Sequence, residues 1–202
     1  MLEEERFLLV KIINLLVIFL LVNSCTIVLS TAGSLVGNAT TSSRGFSGTV
    51  EDTYLMSKIV SKITLMKLSN FSNITVSVTN GKVLLAGNIE NQKKRLELTK
   101  KVWWIDGVEE VYNELEIRPP ISFSEKTEDF IFEAKIEKRL LFESGIFSNN
   151  YSVDVVNGNV YVMGISSDIE EKTKVENFLN NMNDIKKLIL LVDIPKNIKD
   201  GK

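Results

Sequence analysis

Val78-Thr79-Asn80-Gly81-Lys82-Val83-Leu84-Leu85-Ala86-Gly87 returns 77 residues later as Val155-Val156-Asn157-Gly158-Asn159-Val160-Tyr161-Val162-Met163-Gly164. Each copy reads as strand, Asn-Gly turn, strand, closing Gly. Asn-Gly between β-forming residues is the strongest short-range hairpin signal, because a type I′ turn needs positive φ at both central positions. The repeat extends without a gap from about residue 52 to about residue 194. Asp52 corresponds to Asp129, Leu55 to Phe132, Ile59 to Ile136 and Ile63 to Leu140. Downstream, Leu98 corresponds to Val175, Val102 to Leu179, Val111 to Leu188 and Ile117 to Ile194. Such register through two helical stretches and a third strand indicates two copies of one small unit.

Periodicity fills in the unit. Asp52 is read as an N-cap, and Leu55, Ile59, Ile63 and Met66 recur at helical spacing, which predicts a helix over 53–67. Strands follow at 74–79 and 82–86, a helix at 91–105 ending at Asp106-Gly107, and a strand at 108–117. The second copy gives a helix at 129–143, strands at 151–157 and 159–163, a helix at 168–182 and a strand at 185–194. The order α-β-β-α-β predicts an α+β fold, with two helices packed on one face of a three-stranded mixed sheet in each copy. The chain divides into a lipoprotein-type signal peptide (1–25), a Ser/Thr/Gly-rich flexible tether (26–51), the first unit (52–118), a linker after Arg118-Pro119-Pro120 (119–127), the second unit (128–195) and a polar tail (196–202).

Composition excludes several functions. The chain has 202 residues, 44% hydrophobic and 25% charged, with a formal net charge of −2, no His and one Cys. A Ser-His-Asp or Cys-His arrangement, a His metal site and an intramolecular disulfide are therefore impossible. No basic block or zinc-finger spacing points to nucleic acid. No phosphate-cradling loop, cofactor motif or small-molecule site is visible, and no enzyme activity is expected.

The first 25 residues carry an apolar run, Ile12–Val22, too short to span a bilayer alone, ending Val22-Asn23-Ser24-Cys25. This is similar to a bacterial lipoprotein signal in which Cys25 carries lipid, and Thr26, not Asp, gives no inner-membrane retention signal. The acidic Glu3-Glu4-Glu5 and the Asn23 depart from that pattern. An uncleaved anchor running through Thr26–Ser30 and plain secretion fit the same residues. All three readings place the body of the protein outside the cytoplasm.

The unit resembles the BON domain in the Val-Thr-Asn-Gly-Lys-Val-Leu-Leu-Ala-Gly hairpin, in Ile105-Asp106-Gly107-Val108 and in Val111-Tyr112-Asn113-Glu114. Two such domains behind a lipid-attachment signal resemble the dual-BON outer-membrane lipoproteins of Gram-negative bacteria. The resemblance implies binding of an anionic phospholipid surface through the second domain, support of outer-membrane integrity, no catalysis, and a place on the periplasmic face of the outer membrane.

Differences between the copies isolate residues the fold does not dictate. On the first helix of the second unit, Phe130, Ala134 and Leu141 fall opposite the Phe132/Ile136/Leu140 stripe; their counterparts are Thr53, Ser57 and Thr64. Ile131 and Lys138 lie beside them. A second apolar face on a helix needs something to cover it. These five residues are the candidate phospholipid contact, with packing on the linker or on the first unit as the alternative. Acidic side chains outnumber basic ones on this helix, so lipid contact would rest on apolar insertion. Ile189, Leu191, Tyr161 and Met163 are expected on the outer face of the second sheet, covered by the first unit or by another protomer, with the opposite assignment of faces, which puts them in the domain's own core, as the alternative. Trp103-Trp104 stands where the second copy has Asn180-Asn181, and reads either as interface aromatics or as a small core under a loop. Trp103, Trp104, Tyr161, Ile189 and Leu191 are thus candidate interface residues, and they motivate the alternative function of a protein-interaction module in envelope assembly or secretion.

Overall fold

The computed structural model describes residues 45–66 and 73–195. The expected signal peptide, Cys25 and the polar tail 196–202 lie outside the described residues. The first unit runs α1 (Gly45–Leu65), β1 (Ile74–Thr79), β2 (Lys82–Ile89), α2 (Gln92–Trp103) and β3 (Glu110–Ile117). The second runs α3 (Phe123–Phe142), β4 (Tyr151–Val156), β5 (Asn159–Ile165), α4 (Ile169–Asn180) and β6 (Lys187–Asp193). Both sheets have the order edge, centre, edge: β1-β2-β3 and β4-β5-β6. The hairpin pairs are antiparallel, from Ile74↔Gly87 to Thr79↔Lys82 and from Tyr151↔Gly164 to Val156↔Asn159. The third strand of each unit pairs parallel with the central one, which requires the intervening helix as a crossover. This is the α+β, mixed-sheet αββαβ repeat that the periodicity predicts.

The Asn-Gly turns take the expected conformation, with φ of 52° and 73° at Asn80-Gly81 and 58° and 75° at Asn157-Gly158. The closing glycines do more than end a strand. A Cβ on Gly87 would lie 2.0 Å from the Asn73 carbonyl oxygen, and one on Gly164 would lie 2.3 Å from that of Asn150. The neighbouring backbone therefore approaches too closely for any side chain.

Both opening helices start earlier than their periodicity suggests. α1 already includes 45–51, assigned above to the tether, and α3 includes 123–127, assigned above to the linker. Asp52 is consequently not an N-cap. It sits within α1 and its carboxylate accepts hydrogen bonds from the backbone N–H groups of Asn80 (2.9 Å) and Gly81 (3.3 Å). Asp129, within α3, does the same for Asn157 and Gly158, both at 2.8 Å. The paired aspartates latch each helix to its own hairpin turn. The N-cap of α3 is Ser122, in a reciprocal capping box with Glu125. Asn91 and Asp168, again 77 apart, cap α2 and α4.

Each unit has its own core between helices and sheet. Leu55, Ile59, Ile63, Val76, Val83, Leu85, Leu98, Val102 and Leu115 close the first. Ile136, Leu140, Val153, Val155, Val160, Val162, Val175, Leu179 and Val192 close the second. A third cluster joins the two: Leu84 and Ala86 pack on Val156, Tyr161 and Met163, with Tyr112, Ile189 and Leu191 around them. The sheets thus stand back to back, and the molecule has four layers: helices, sheet, sheet, helices. The three clusters lie between residues 55 and 192, so a fragment 44–202 retains every core contact described.

The contact between the sheets has pseudo-two-fold symmetry. Ser77 donates to Asp154 Oδ2 at 2.6 Å, and these two residues are equivalents in the repeat. Lys82 donates to Asp193 at 2.6 Å; the equivalent pair, Asn159 and Glu116, is joined at 3.1 Å. Leu84 and Ala86 face their own counterparts, Tyr161 and Met163. An arrangement in which residue i meets j and j's equivalent meets i's is that of a symmetric dimer, built here inside one chain.

Candidate functional site

The four-layer packing decides which candidate residues can reach a ligand. Tyr161 is 1% exposed, and Ile189 and Leu191 are packed beside it between the sheets. The first unit covers them, so that face is closed to another protein. Burying a large apolar side chain in this way contributes roughly 1.5–3 kcal/mol. Trp103 and Trp104, in contrast, are 52% and 76% exposed, so they form no core under a loop.

The apolar back of α3 is open. The core stripe Ile136 and Leu140 is buried, while Phe130 and Leu141, on the other side, are 69% and 61% exposed. Ile131, Ala134 and Lys138 are exposed as well. Among the described residues, neither those before α3 nor those of the first unit cover this face. Ala134, Lys138 and Leu141 come together on one wall of a recess of about 380 Å³; Tyr151, Val153 and Ser148 help form the other. The small Ala134 side chain leaves this gap between α3 and the edge strand β4. Phe130 and Ile131 do not line the recess and lie one or two turns earlier on the helix.

Three aromatic residues outside the sequence-derived set extend the apolar surface. Phe142 ends α3, Phe147 lies in the loop that follows, and Phe123 opens the helix; all are exposed. Phe142 could have been found by extending the helical projection one residue past Leu141. Phe147 could not, because its position depends on Glu171. That buried carboxylate accepts from the N–H groups of Phe147 and Ser167, both at 2.7 Å, and ties the loop to the start of α4.

Electrostatics on α3 are set by burial against β4. Glu133 accepts a hydrogen bond from the Val155 N–H at 3.0 Å, covering a donor of the edge strand. Burial pushes its carboxyl up to about 7, helped by the nearby carboxylates of Asp154, Glu137 and Asp129 and opposed by the Val155 hydrogen bond. Burial also raises Glu137. The Glu133 shift reduces the negative charge this helix carries near pH 7. Lys135 is engaged with Asp184 at 2.7 Å, and Lys138, with no ion pair among the described residues, stands at the recess.

Another recess, of about 550 Å³, lies where α1 meets its hairpin turn, lined by Glu51, Asp52, Tyr54, Lys58, Asn80 and Gly81 among others. Its central carboxylate, Asp52, is already spent on the turn. Among the described residues there is no group of three His, Cys, Asp or Glu side chains that could hold a metal ion. No helix among them is long and apolar enough to cross a membrane.

The BON domain family matches residues 51–119 and 128–194. The chain belongs to the BON family. Its two BON domains are the two αββαβ units, and the matched segments include both Asp-latched hairpins and both crossover helices. An uncharacterised protein in the gshII 5′ region of Anaplasma centrale is 33% identical over 144 residues, which is 71% of this chain and 94% of that protein. Outer membrane lipoprotein DolP of Haemophilus influenzae is 31% identical over 85 residues, 42% of this chain and 44% of that protein. Among solved structures, CdsD, a structural protein of the type III secretion system of Chlamydia trachomatis, aligns over 70% of this chain and 63% of its own at 17% identity, with a TM-score of 0.29. A likeness that low carries no argument about the two BON domains of this chain.

Proposed function

We propose that this protein is a non-enzymatic envelope lipoprotein, anchored through Cys25 to the periplasmic face of the outer membrane, that binds anionic phospholipid through α3 of its second BON domain and so supports outer-membrane integrity. The observation that carries the reading is the uncovered apolar back of α3, where Phe130, Ile131 and Leu141 are exposed on a helix whose other side is fully packed. A soluble domain that leaves such a face open has a partner surface for it. Phe130 and Leu141 enter the acyl boundary, while Lys138 stays at the level of the phosphates. Family membership and the similarity to a protein named as an outer membrane lipoprotein support the same reading. The protein-interaction alternative loses Tyr161, Ile189 and Leu191, which are consumed between the sheets.

Flotation of fragment 44–202 with phosphatidylglycerol vesicles tests the proposal. Wild type rises with the vesicles and the double substitution Phe130→Asp/Leu141→Asp rises far less at the same vesicle concentration. Both sites are exposed, so the variant keeps its fold. Equal flotation of the two proteins removes α3 from the account, and no flotation of either removes direct lipid binding.

A further inference from the structure

The charge of the molecule is divided unevenly between its domains. Residues 51–119 hold ten Lys/Arg and nine Asp/Glu, whereas residues 128–194 hold seven and twelve. The difference concentrates on one pair of equivalent helices. α2 carries Lys93, Lys94, Arg95, Lys100 and Lys101 against the single acid Glu97. α4 carries Lys172 and Lys174 against Glu170, Glu171 and Glu176. The two helices have the same length, the same type of cap and equivalent sheets beneath them, so the fold does not ask for the difference.

Where α2 ends, the basic side chains meet the only two tryptophans of the chain. Lys62 of α1, Glu97, Lys100, Lys101, Trp104 and Ile105 line a recess of about 410 Å³ that opens on the outer helical layer of the first domain, with three lysines against one carboxylate. Trp104 stands exposed in its wall, and Trp103, the neighbouring residue, is exposed beside it without lining the recess. Lys101 is paired with Glu97 at 2.8 Å; Lys62 and Lys100 make no ion pair among the described residues. The equivalents of Lys100, Trp103 and Trp104 are Asn177, Asn180 and Asn181, which shows that this architecture holds with none of the three.

We infer that this basic, tryptophan-rimmed recess is a second membrane contact, taking the phosphate groups of an anionic phospholipid bilayer between Lys62 and Lys100 while the indoles of Trp103 and Trp104 lie at headgroup depth. Indole rings favour the boundary between headgroups and acyl chains, and lysines reach from there to phosphate. A handful of exposed side chains around one recess is too small for a specific protein interface, which buries on the order of 1,000 Å² or more. A lipid surface needs only anchors and charge, each lysine strengthening attachment roughly five-fold at an anionic surface. The contact is independent of the α3 face: α2 and α3 belong to opposite outer layers, on the far sides of the two back-to-back sheets.

Intrinsic fluorescence reads this site alone, because Trp103 and Trp104 are the sole tryptophans. Fragment 44–202 is titrated with phosphatidylglycerol vesicles, with phosphatidylcholine vesicles and with soluble polyglutamate. The expected result is a blue shift on phosphatidylglycerol only, which Phe130→Asp/Leu141→Asp still reaches, at a higher vesicle concentration because one of its two contacts is gone. In Lys62→Gln/Lys100→Asn, which keeps both reporters, the vesicle concentration at half-shift rises about ten-fold or more. Four outcomes would overturn the inference: emission that stays unmoved while the protein floats, a shift lost in the α3 variant, an unchanged half-shift in the lysine variant, or an equal shift with polyglutamate, which would assign the recess to an acidic protein partner.

Discussion

Removing the Asp129 carboxylate tests the idea that each opening helix is latched to its own hairpin. Asp129 accepts from two consecutive turn N–H groups at 2.8 Å each. A hydrogen bond to a charged acceptor contributes about 1.5–3 kcal/mol, and the freed turn N–H groups recover part of that from water. Asp129→Ala therefore costs about 3 kcal/mol. Asp52 holds its turn at 2.9 and 3.3 Å, so Asp52→Ala costs less, about 2 kcal/mol. The Asn variants keep one acceptor oxygen and lose roughly half as much in each domain. Urea unfolding of fragment 44–202, followed by circular dichroism, reads these differences. With a slope near ~2 kcal/mol/M, Asp129→Ala lowers the midpoint by about 1.5 M. A shift under ~0.3 M, or an Asn variant as unstable as the Ala variant, would refute the latch.

Other expectations follow from the same geometry. Gly164→Ala would place a Cβ 2.3 Å from the Asn150 carbonyl oxygen, so the variant loses more than about 3 kcal/mol in urea unfolding, and Gly164→Ser fares no better. Burial raises the Asp154 carboxyl above its ordinary value between the sheets. An acid whose pKa is raised on folding binds its proton more tightly in the native state, so its contribution is present at low pH and is lost as pH rises. Asp154→Ser, which copies Ser77 across the pseudo-two-fold axis, should accordingly flatten the fall in melting temperature as pH rises above the ordinary carboxylate range. Glu133, with its carboxyl at about 7 instead of 4.5, follows the same sign, losing its contribution as pH climbs through 7. Full burial would make that about 3 kcal/mol; its partly solvated carboxyl makes about 1–2 kcal/mol the better figure, and Glu133→Gln should remove it from the pH profile of melting. Flotation through α3 should likewise be stronger at pH 6 than at pH 8, and the Gln variant should float equally at both.

Local chemistry made most of the fold readable. Asn80-Gly81 and Asn157-Gly158 announce their turns because few other residues tolerate positive φ, and strand alternation placed Tyr161, Met163, Ile189 and Leu191 on the face away from the helices. What covers that face is a long-range fact, settled only by the mutual fit of Leu84 and Ala86 with Tyr161 and Met163. The start of α3 was written in Ser122 and Glu125, a capping box that the preceding Arg118-Pro119-Pro120 disguised as linker. The start of α1 had no comparable signal. Asp52 and Asp129 stood out as equivalents, but a mid-helix aspartate reaching a turn 28 residues away cannot be told from a cap by spacing alone. The apolar back of α3 was legible by comparison of copies, since Thr53 and Thr64 face water where Phe130 and Leu141 do. The recess beside it was not, because it depends on how β4 sits against Ala134 and on the loop that Glu171 restrains.

The chain's one cysteine is Cys25, so fragment 44–202 offers a clean background for a single nitroxide label. Phe130→Cys, labelled and bound to phosphatidylglycerol vesicles, should become accessible to oxygen and shielded from a water-soluble relaxation agent, while a label at the exposed Ile169 of α4 stays aqueous. A nitroxide at position 130 that remains as water-accessible with vesicles as without them would contradict membrane insertion of α3.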